Sequence, residues 1–495
     1  ICSGLVGSEM CIRDSPLRGA EPRDRKHEFE ETAETMSKST DIRICEVQTQ
    51  RQQIDYRTPI KFGGRVVRDV TVVDAKVLVE DRQGRRATGY GSMTMGNVWA
   101  WPSPSLDATA TLSSMLEFVE VLKERVNGIE EIGDPLQLTL QMAAEYPDIR
   151  RVIGRALGDE KAMPQLAALV AASPVEAAIH DAFGRLQQRS AFACLGTEWI
   201  NQDLSHFLNE DFEGEFLSQY TRSTPQSEMP LYHLVGALDP LTTADILEPV
   251  LDGLPQALGE WIQADGLDHL KLKLAGDDLD WDVERVVSID RVAAEAQSER
   301  QCQRWAYSLD FNEKCPDIGY VLEFLARLTE LRPEAYERIQ YIEQPMHRDM
   351  SQGTGATSVA EAARLKPVVI DESLLDFESV LRAKELGYSG IALKACKGQT
   401  ESLLMAAAAQ KYKMFLCVQD LTCIGPSFLH SASLAAHVPT VAAIEGNGRQ
   451  YCPCGNADWE QDYPGMFLVD DGRVTTAELS GNGLGFEWVE TACWD

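Results

Sequence analysis

The chain has 495 residues, against a usual ~100–200 per domain, so two or three structural units are expected. Hydrophobic residues make up 44% and charged residues 25%, which excludes a mainly disordered, collagen-like or fibrous chain. The 46 basic and 77 acidic residues leave a net charge of −31; such a chain repels phosphate, which argues against nucleic-acid binding, and favours cationic partners, metal ions among them.

No run reaches the ~18 consecutive apolar residues of a membrane span; stretches 165–179 and 403–410 are too short or too mixed, so no membrane partner is expected. The twelve cysteines are scattered without CxxC spacing and read as reduced thiols of a cytoplasmic protein. The close pair Cys452-Pro453-Cys454 has no histidine or cysteine partner nearby and reads as a loop. In chain order, residues 3–15 (SGLVGSEMCIRDS) resemble a translated adapter fragment and lack the basic start and apolar run of a signal peptide. Residues 16–40 are charged and aperiodic, as in a disordered leader. Segments 146–170 and 201–225 give no assignment.

From about residue 230 the pattern becomes a ladder. Eight β-type runs are predicted at 231–238, 269–274, 305–312, 338–345, 366–373, 390–396, 413–420 and 440–447. Helical periodicity falls between them, at 244–264, 281–300, 320–327, 377–386, 401–411 and 427–437. Strands alternating with helices imply parallel pairing with right-handed crossovers. Eight units over ~215 residues fit a (β/α)8 TIM-type barrel. A doubly wound open sheet is the rival; it normally needs fewer strands, and no GxGxxG follows a first strand.

Polar residues stand at or near successive strand ends: Lys273, Asp310, Glu343, Asp371, Lys394, Asp420 and Glu445. In a barrel all these ends share one rim, so residues about one strand–helix unit apart converge on a single mouth. The second strand reads Leu270-Lys271-Leu272-Lys273-Leu274, with both lysines on one face. Alone this suits a half-exposed antiparallel strand; in a barrel the leucines pack outward and the lysines face the interior. The charge on Lys271 then favours the neutral, basic form of Lys273.

Asp310, Glu343 and Asp371 each suit a helix cap or solvated loop singly. Gathered in one crevice they need a cation, and oxygen ligands suit Mg²⁺. Glu372 is an alternative ligand to Asp371. Lys394 has an apolar lead-in and lies roughly across the barrel from Lys273, so one lysine can remove a proton and the other return it.

This constellation resembles the enolase superfamily, within it the muconate-lactonizing-enzyme-like group of the mandelate racemase/muconate lactonizing enzyme family. The pattern is KxK on strand two (Lys271, Lys273), acidic metal ligands on strands three to five (Asp310, Glu343, Asp371) and a lysine on strand six (Lys394). Segment 171–185 (AASPVEAAIHDAFGR) is similar to the family's cap–barrel junction helix, with Glu176, Asp181, Gly184 and Arg185 in place and Pro174 departing from the usual small residue. Segments 56–64, 70–80 and 89–91 look like the opening cap strands. The resemblance implies an N-terminal α+β capping domain (41–225), a barrel (226–447) and a tail returning to the cap (448–495). It also implies a Mg²⁺-bound carboxylate substrate, proton abstraction by a lysine, and an enediolate stabilised by the metal and Lys271. Cap segments 61–66 and 92–106 are the expected lids.

Departures bear on the substrate. The eighth strand ends Ile444-Glu445-Gly446-Asn447-Gly448-Arg449, without the Asp-x-Asp of dipeptide epimerases. The seventh ends Val418-Gln419-Asp420, without the histidine of mandelate-racemase-like members; His430 falls in a helix and reads as packed. Asn312, Asp420, Glu445 and Arg449 are the substrate-binding candidates, Arg449 suiting a structural tie equally well. The expected reaction is racemisation, epimerisation or cycloisomerisation of a small carboxylate, with a hydroxy-acid (sugar-acid) lyase or dehydratase as the alternative, in a homo-oligomer. A barrel that has lost catalysis is the remaining alternative.

Overall fold

The computed structural model describes residues 37–62, 65–159 and 163–489. The expected adapter-like start and all but the last four residues of the charged leader lie outside them. So does the final stretch that contains Trp494.

The described residues open with an antiparallel meander: β1 (Ile42–Phe62), β2 (Arg65–Asp81) and β3 (Arg86–Thr94). The alternating burial of β2 marks it as a sheet with one covered face. Helices α1 (Ala108–Asn127), α2 (Pro135–Ala144), α3 (Tyr146–Ala156) and α4 (Gln165–Leu186) follow, so the unassigned stretch 146–170 is largely helical. Asp107 and Asp134 cap α1 and α2 through their side chains, the latter in a capping box with Gln137. Stretch 201–225 contains only short turns such as Leu204–Phe207.

Helix α4 is the hinge of the architecture. It is long and apolar enough to cross a membrane by length and composition alone, yet its whole apolar window is buried inside the protein. The sequence reading of 165–179 as too mixed stopped short of the full helix. A helix apolar all round is one buried on every side, and α4 has the cap sheet against one flank and the barrel against another. Pro174 sits inside it. Proline cannot donate to Val170 O; the Ser173 hydroxyl donates there instead, at 2.9 Å.

Eight parallel strands then close a barrel: β4 (Met229–Val235), β5 (His269–Lys273), β6 (Ala306–Asp310), β7 (Ile339–Glu343), β8 (Val368–Ile370), β9 (Gly390–Leu393), β10 (Phe415–Val418) and β11 (Val441–Glu445), with β11 pairing back onto β4. Seven lie within their predicted runs, and β4 begins two residues before its run of 231–238 and ends three residues short of it. The outer layer includes α5 (Leu258–Asp265), α6 (Leu279–Glu299), α7 (Ile318–Leu331), α8 (Phe377–Glu385), α9 (Gln399–Lys411) and α10 (Pro426–His437). The helix expected over 244–264 forms only from Leu258; Pro249, Gly253 and Pro255 keep the preceding stretch irregular. The short strand β12 (Arg473–Val474) adds antiparallel to β4.

The tail returns to the cap. Leu484 N donates to Asp181 of α4 at 2.8 Å, Arg185 donates to Phe486 O at 2.6 Å, and the Trp488 ring stacks on Tyr90 of β3 with centroids 5.0 Å apart.

Candidate active site

Strand parity builds the site. Tyr232, Tyr341, Val369, Ala392, Cys417 and Ala443 form an apolar layer inside the barrel. Two residues further along, the same face of β7 carries Glu343 and that of β11 carries Glu445. Past the ends of β8, β9 and β10 it carries Asp371, Lys394 and Gln419. Lys271, Lys273 and Asp310 complete the polar layer from β5 and β6. With Val369 inside, parity selects Asp371 over Glu372 as the inward residue.

The polar layer is a lattice of ion pairs. Lys271 Nζ lies 3.0 Å from Glu343 Oε1, 3.1 Å from Glu445 Oε2 and 3.4 Å from Asp310 Oδ2. Lys273 pairs with Asp310 and reaches Asn312 Oδ1 at 3.4 Å. Asn312 in turn donates from its backbone and side chain to Asp310 Oδ1 at 2.8 and 2.9 Å. Across the barrel, Asp371 is held at 3.0 Å by both Lys394 and Lys397. Gln419 donates to the second oxygen of Glu343. All these acids and amines are buried.

Burial and charge set their protonation. Burial pushes Asp310 up, but Lys273 and Lys271 outweigh it and hold it below the usual carboxylate range. Asp371 is held low in the same way by Lys394 and Lys397 against burial. Burial, then Asp310, raises Glu343. Burial lowers Lys394, but Asp371 outweighs it and keeps the amine charged. Burial, then neighbouring acids, lifts Glu372 to about 7 and Asp420 to about 6.

The cap covers this layer. Trp99, from the 92–106 segment, donates its indole N–H to Glu372 Oε1 at 2.8 Å, and its ring centroid lies 4.2 Å from Lys394 Nζ and 5.6 Å from Lys397 Nζ. Thr94 donates to Leu421 O at 2.7 Å. Arg65, from the 61–66 segment, donates to Ser103 O at 2.7 Å and so ties the two expected lids together. Arg348 clamps Glu313 and donates to Trp99 O at 3.1 Å. Asn312, Glu313, Gln344 and Thr422 have positive φ; all follow strand ends at this rim, and strain of this kind gathers at functional sites.

The candidates divide as follows. Lys271, Lys273, Asp310, Glu343, Asp371, Lys394, Asn312 and Glu445 are brought together. Asp420 stands beside them, but its carboxylate accepts from Cys423 N at 2.5 Å and Asn447 N at 2.6 Å. Arg449 is turned outward, paired with Asp265 of α5 and donating to His233 Nδ1 at 2.8 Å; it ties β4 to the first barrel helix. A cavity of about 300 Å³ also lies there, outside β4, walled by His233, Trp261 and Tyr451. His430 is packed against Gln399. Sequence reasoning missed Lys397, Gln419 and the role of Gln344, whose Oε1 accepts from Asp371 N at 2.9 Å. The parity of strand seven signals Gln419; Lys397 lies beyond its strand, in the turn Ala395–Lys397, where parity gives no signal.

The donor set suits a hard divalent cation in charge and type. Four lysines face six carboxylates (Asp310, Glu343, Asp371, Glu372, Asp420 and Glu445), and Glu372 Oε2, Gln419 Oε1 and Asn447 Oδ1 are buried oxygens without a hydrogen-bond partner among the described residues. Among the described residues, however, no three acidic, histidine or cysteine side chains close a ready-made cage. The Lys271 ammonium stands between Asp310 and Glu343, and Asp371 turns to its own two lysines.

Fold and site together define a closed parallel (β/α)8 barrel with acids and amines at its carboxyl-end rim, under an N-terminal α+β cap. Residues 254–492 match the family model described as "Enolase C-terminal domain-like". No curated protein matches the chain. Among solved structures, the dipeptide epimerase from Enterococcus faecalis V583, complexed with Mg and L-Leu-L-Tyr, is similar at 17% identity and TM-score 0.57, covering 90% of this chain and 99% of that one. The L-Ala-D/L-Glu epimerase from Bacillus subtilis gives 16%, 0.57, 90% and 98%. The muconate lactonizing enzyme from Pseudomonas fluorescens gives 17%, 0.55, 90% and 97%. At these identities the likeness is one of fold, and the capped barrel of these neighbours is this chain's fold.

Proposed function

We propose that the barrel mouth removes a proton from the carbon next to a carboxylate and returns one there, making the protein a racemase, epimerase or cycloisomerase. The observation that carries this reading is the opposed lysines. Lys273 ends β5 and Lys394 follows β9, four strands apart in a closed ring of eight, so their amines approach a bound substrate from opposite faces.

Asp310, Glu343 and Asp371 would hold a Mg²⁺ ion, as the solved neighbours complexed with Mg support. Bound there, the ion would offset negative charge that develops on the substrate carboxylate. The chain's own residues do the rest. Lys271 supplies fixed positive charge where the enediolate forms. Asn312 orients Asp310 and Gln344 orients Asp371, so the acids stay in place while the lysines move protons. Trp99 shuts water out above Lys394. A lysine must be neutral to act as a base. Asp371 holds Lys394 charged, so neutralising Asp371 is what frees that amine. Lyase chemistry uses the same first step. The nine free thiols among the described residues support a reducing, cytoplasmic setting.

The test is deuterium incorporation. Candidate N-acyl amino acids, dipeptides, lactone precursors and sugar acids are incubated in D₂O with Mg²⁺, and the α-hydrogen is followed by NMR. Exchange without elimination is expected. Lys273→Ala should stop exchange from one α-epimer and Lys394→Ala from the other. If neither variant alters turnover of a true substrate, the two-base assignment fails; elimination with exchange would favour the lyase.

A further inference from the structure

The cap reaches the lysine pair from behind as well as from above. Glu176 lies on cap helix α4, fully outside the lysine lattice, yet its Oε1 accepts the Thr400 backbone N–H at 2.6 Å in the first turn of barrel helix α9. Its Oε2 presses on the turn before that helix. Gly398 there has φ +101°, and a Cβ at Gly398 would stand 2.3 Å from Glu176 Oε2. Only glycine lets the backbone take that conformation and the carboxylate come so close.

The grip on Thr400 is threefold. Its hydroxyl also meets His180 Nε2 of α4 at 2.8 Å and Thr139 Oγ1 of α2 at 2.7 Å. The turn so held runs from Lys394 through Lys397 to Gly398. It is fastened to α9 once more, by Ser402 Oγ donating to Lys394 O at 2.9 Å. A carboxylate at a helix N-terminus satisfies N–H groups that would otherwise be orphaned, and here it is supplied by another domain.

We infer that Glu176 is a positioning residue for Lys394 and Lys397: the cap, through this carboxylate and the glycine it requires, sets the turn that aims one of the two proton-transfer lysines. The inference rests on the two-base reading above. It makes the two lysines unequal. Lys273 stands on β5, and the turn after it is held by Asp282 of barrel helix α6, which accepts from Ala275 N at 2.6 Å and Gly276 N at 2.9 Å, whereas the Lys394 turn is held by the cap. Glu176 touches no reacting atom, so its loss should tell on one stereochemical face only.

Wild type, Glu176→Ala and Glu176→Gln are compared in D₂O with Mg²⁺, using both α-epimers of a panel of N-acetyl amino acids and dipeptides, L-Leu-L-Tyr among them. Glu176→Ala should slow exchange about tenfold, the scale of a lost helix cap, from the epimer that Lys394→Ala also stops. The epimer served by Lys273 should change less than about twofold. Glu176→Gln keeps an oxygen for Thr400 N–H and should restore both to near wild type. Equal losses from both epimers in Glu176→Ala overturn the inference, because a merely structural role lowers both alike. Absence of exchange by wild type on every compound instead defeats the two-base reading. Amide hydrogen exchange then decides the clamp: residues 398–402 should lose about tenfold protection in Glu176→Ala, with β6 and the Gln variant unchanged. Unaltered protection at 398–402 overturns it.

Discussion

At the scale of single residues, the mouth of this barrel is a problem in buried charge. Each acid there is tolerable only because an amine or a hydrogen-bond donor faces it, and removing one partner exposes the cost. Glu372 is the sharpest case. Among the described residues its Oε2 has no hydrogen-bond partner, and its Oε1 accepts from Trp99. Trp99→Phe keeps an aromatic ring over Lys394 and Lys397 but removes the indole donor. It should destabilise the fold by about 1–3 kcal/mol, read as a lower denaturant midpoint with an unchanged slope. A variant as stable as wild type would mean that Glu372 is protonated and indifferent to the indole.

At the scale of elements, two helix contacts decide the architecture. Strand β3 meets α4 backbone to backbone: a Cβ at Gly91 would stand 2.0 Å from Pro174 O. No rotamer relieves that, so Gly91→Ala should cost roughly 3 kcal/mol or more and show as lost soluble yield or a lowered melting temperature. Gly259→Ala is the contrast. Its Cβ meets nothing closer than 3.6 Å, in helix α5, and it should be neutral or stabilising by up to about 1 kcal/mol. The other contact carries Glu176, which burial lifts from 4.5 to about 7 against the Thr400 hydrogen bonds. Between those values the folded chain keeps a proton that the unfolded chain has released. Wild-type stability therefore falls as pH rises from 4.5 to 7, by about 3 kcal/mol from this one group. Glu176→Gln has no such titration, so its stability relative to wild type should improve by that amount over the same window in paired unfolding curves. A flat difference would place the Glu176 pKa near its ordinary value.

These elements also mark what was legible in the sequence. Lys271-Leu272-Lys273 and the acid-ended apolar runs declared eight strands because alternation and strand-end position are local properties. The polar rim followed from the topology of a closed parallel sheet. The extent of α5 was misjudged because apolar residues in 244–257 keep helical spacing while the prolines and glycine forbid the helix. Lys397 was invisible because it lies beyond the strand, in a turn of 3-10 helix (Ala395–Lys397) where strand parity no longer applies. That Asp371 faces two lysines, or that Arg449 faces Asp265, is set by packing between distant segments, which no local pattern encodes.

At the scale of the whole molecule, two electrostatic effects of a cation have to be told apart. The chain carries −31 overall, so any salt relieves self-repulsion and stabilises the compact state. The barrel mouth, with six carboxylates in and beside the polar layer against four lysines, adds a local demand that bulk salt cannot meet. A divalent ion bound only by the folded chain stabilises it by mass action, about 2.7 kcal/mol at a hundredfold excess over the dissociation constant. Mg²⁺ should therefore raise the melting temperature above a NaCl control of equal ionic strength, and a chelator should reverse the gain. Glu343→Gln and Asp310→Asn should lose the Mg²⁺-specific part and keep the general salt effect. The pairing of Asp371 with Lys394 and Lys397 makes a further distinction. Asp371→Asn should abolish the Mg²⁺ gain only if that acid turns from its lysines to the ion. A gain from Mg²⁺ no larger than that from NaCl, in wild type and all three variants alike, would show that the lysines alone balance the barrel mouth.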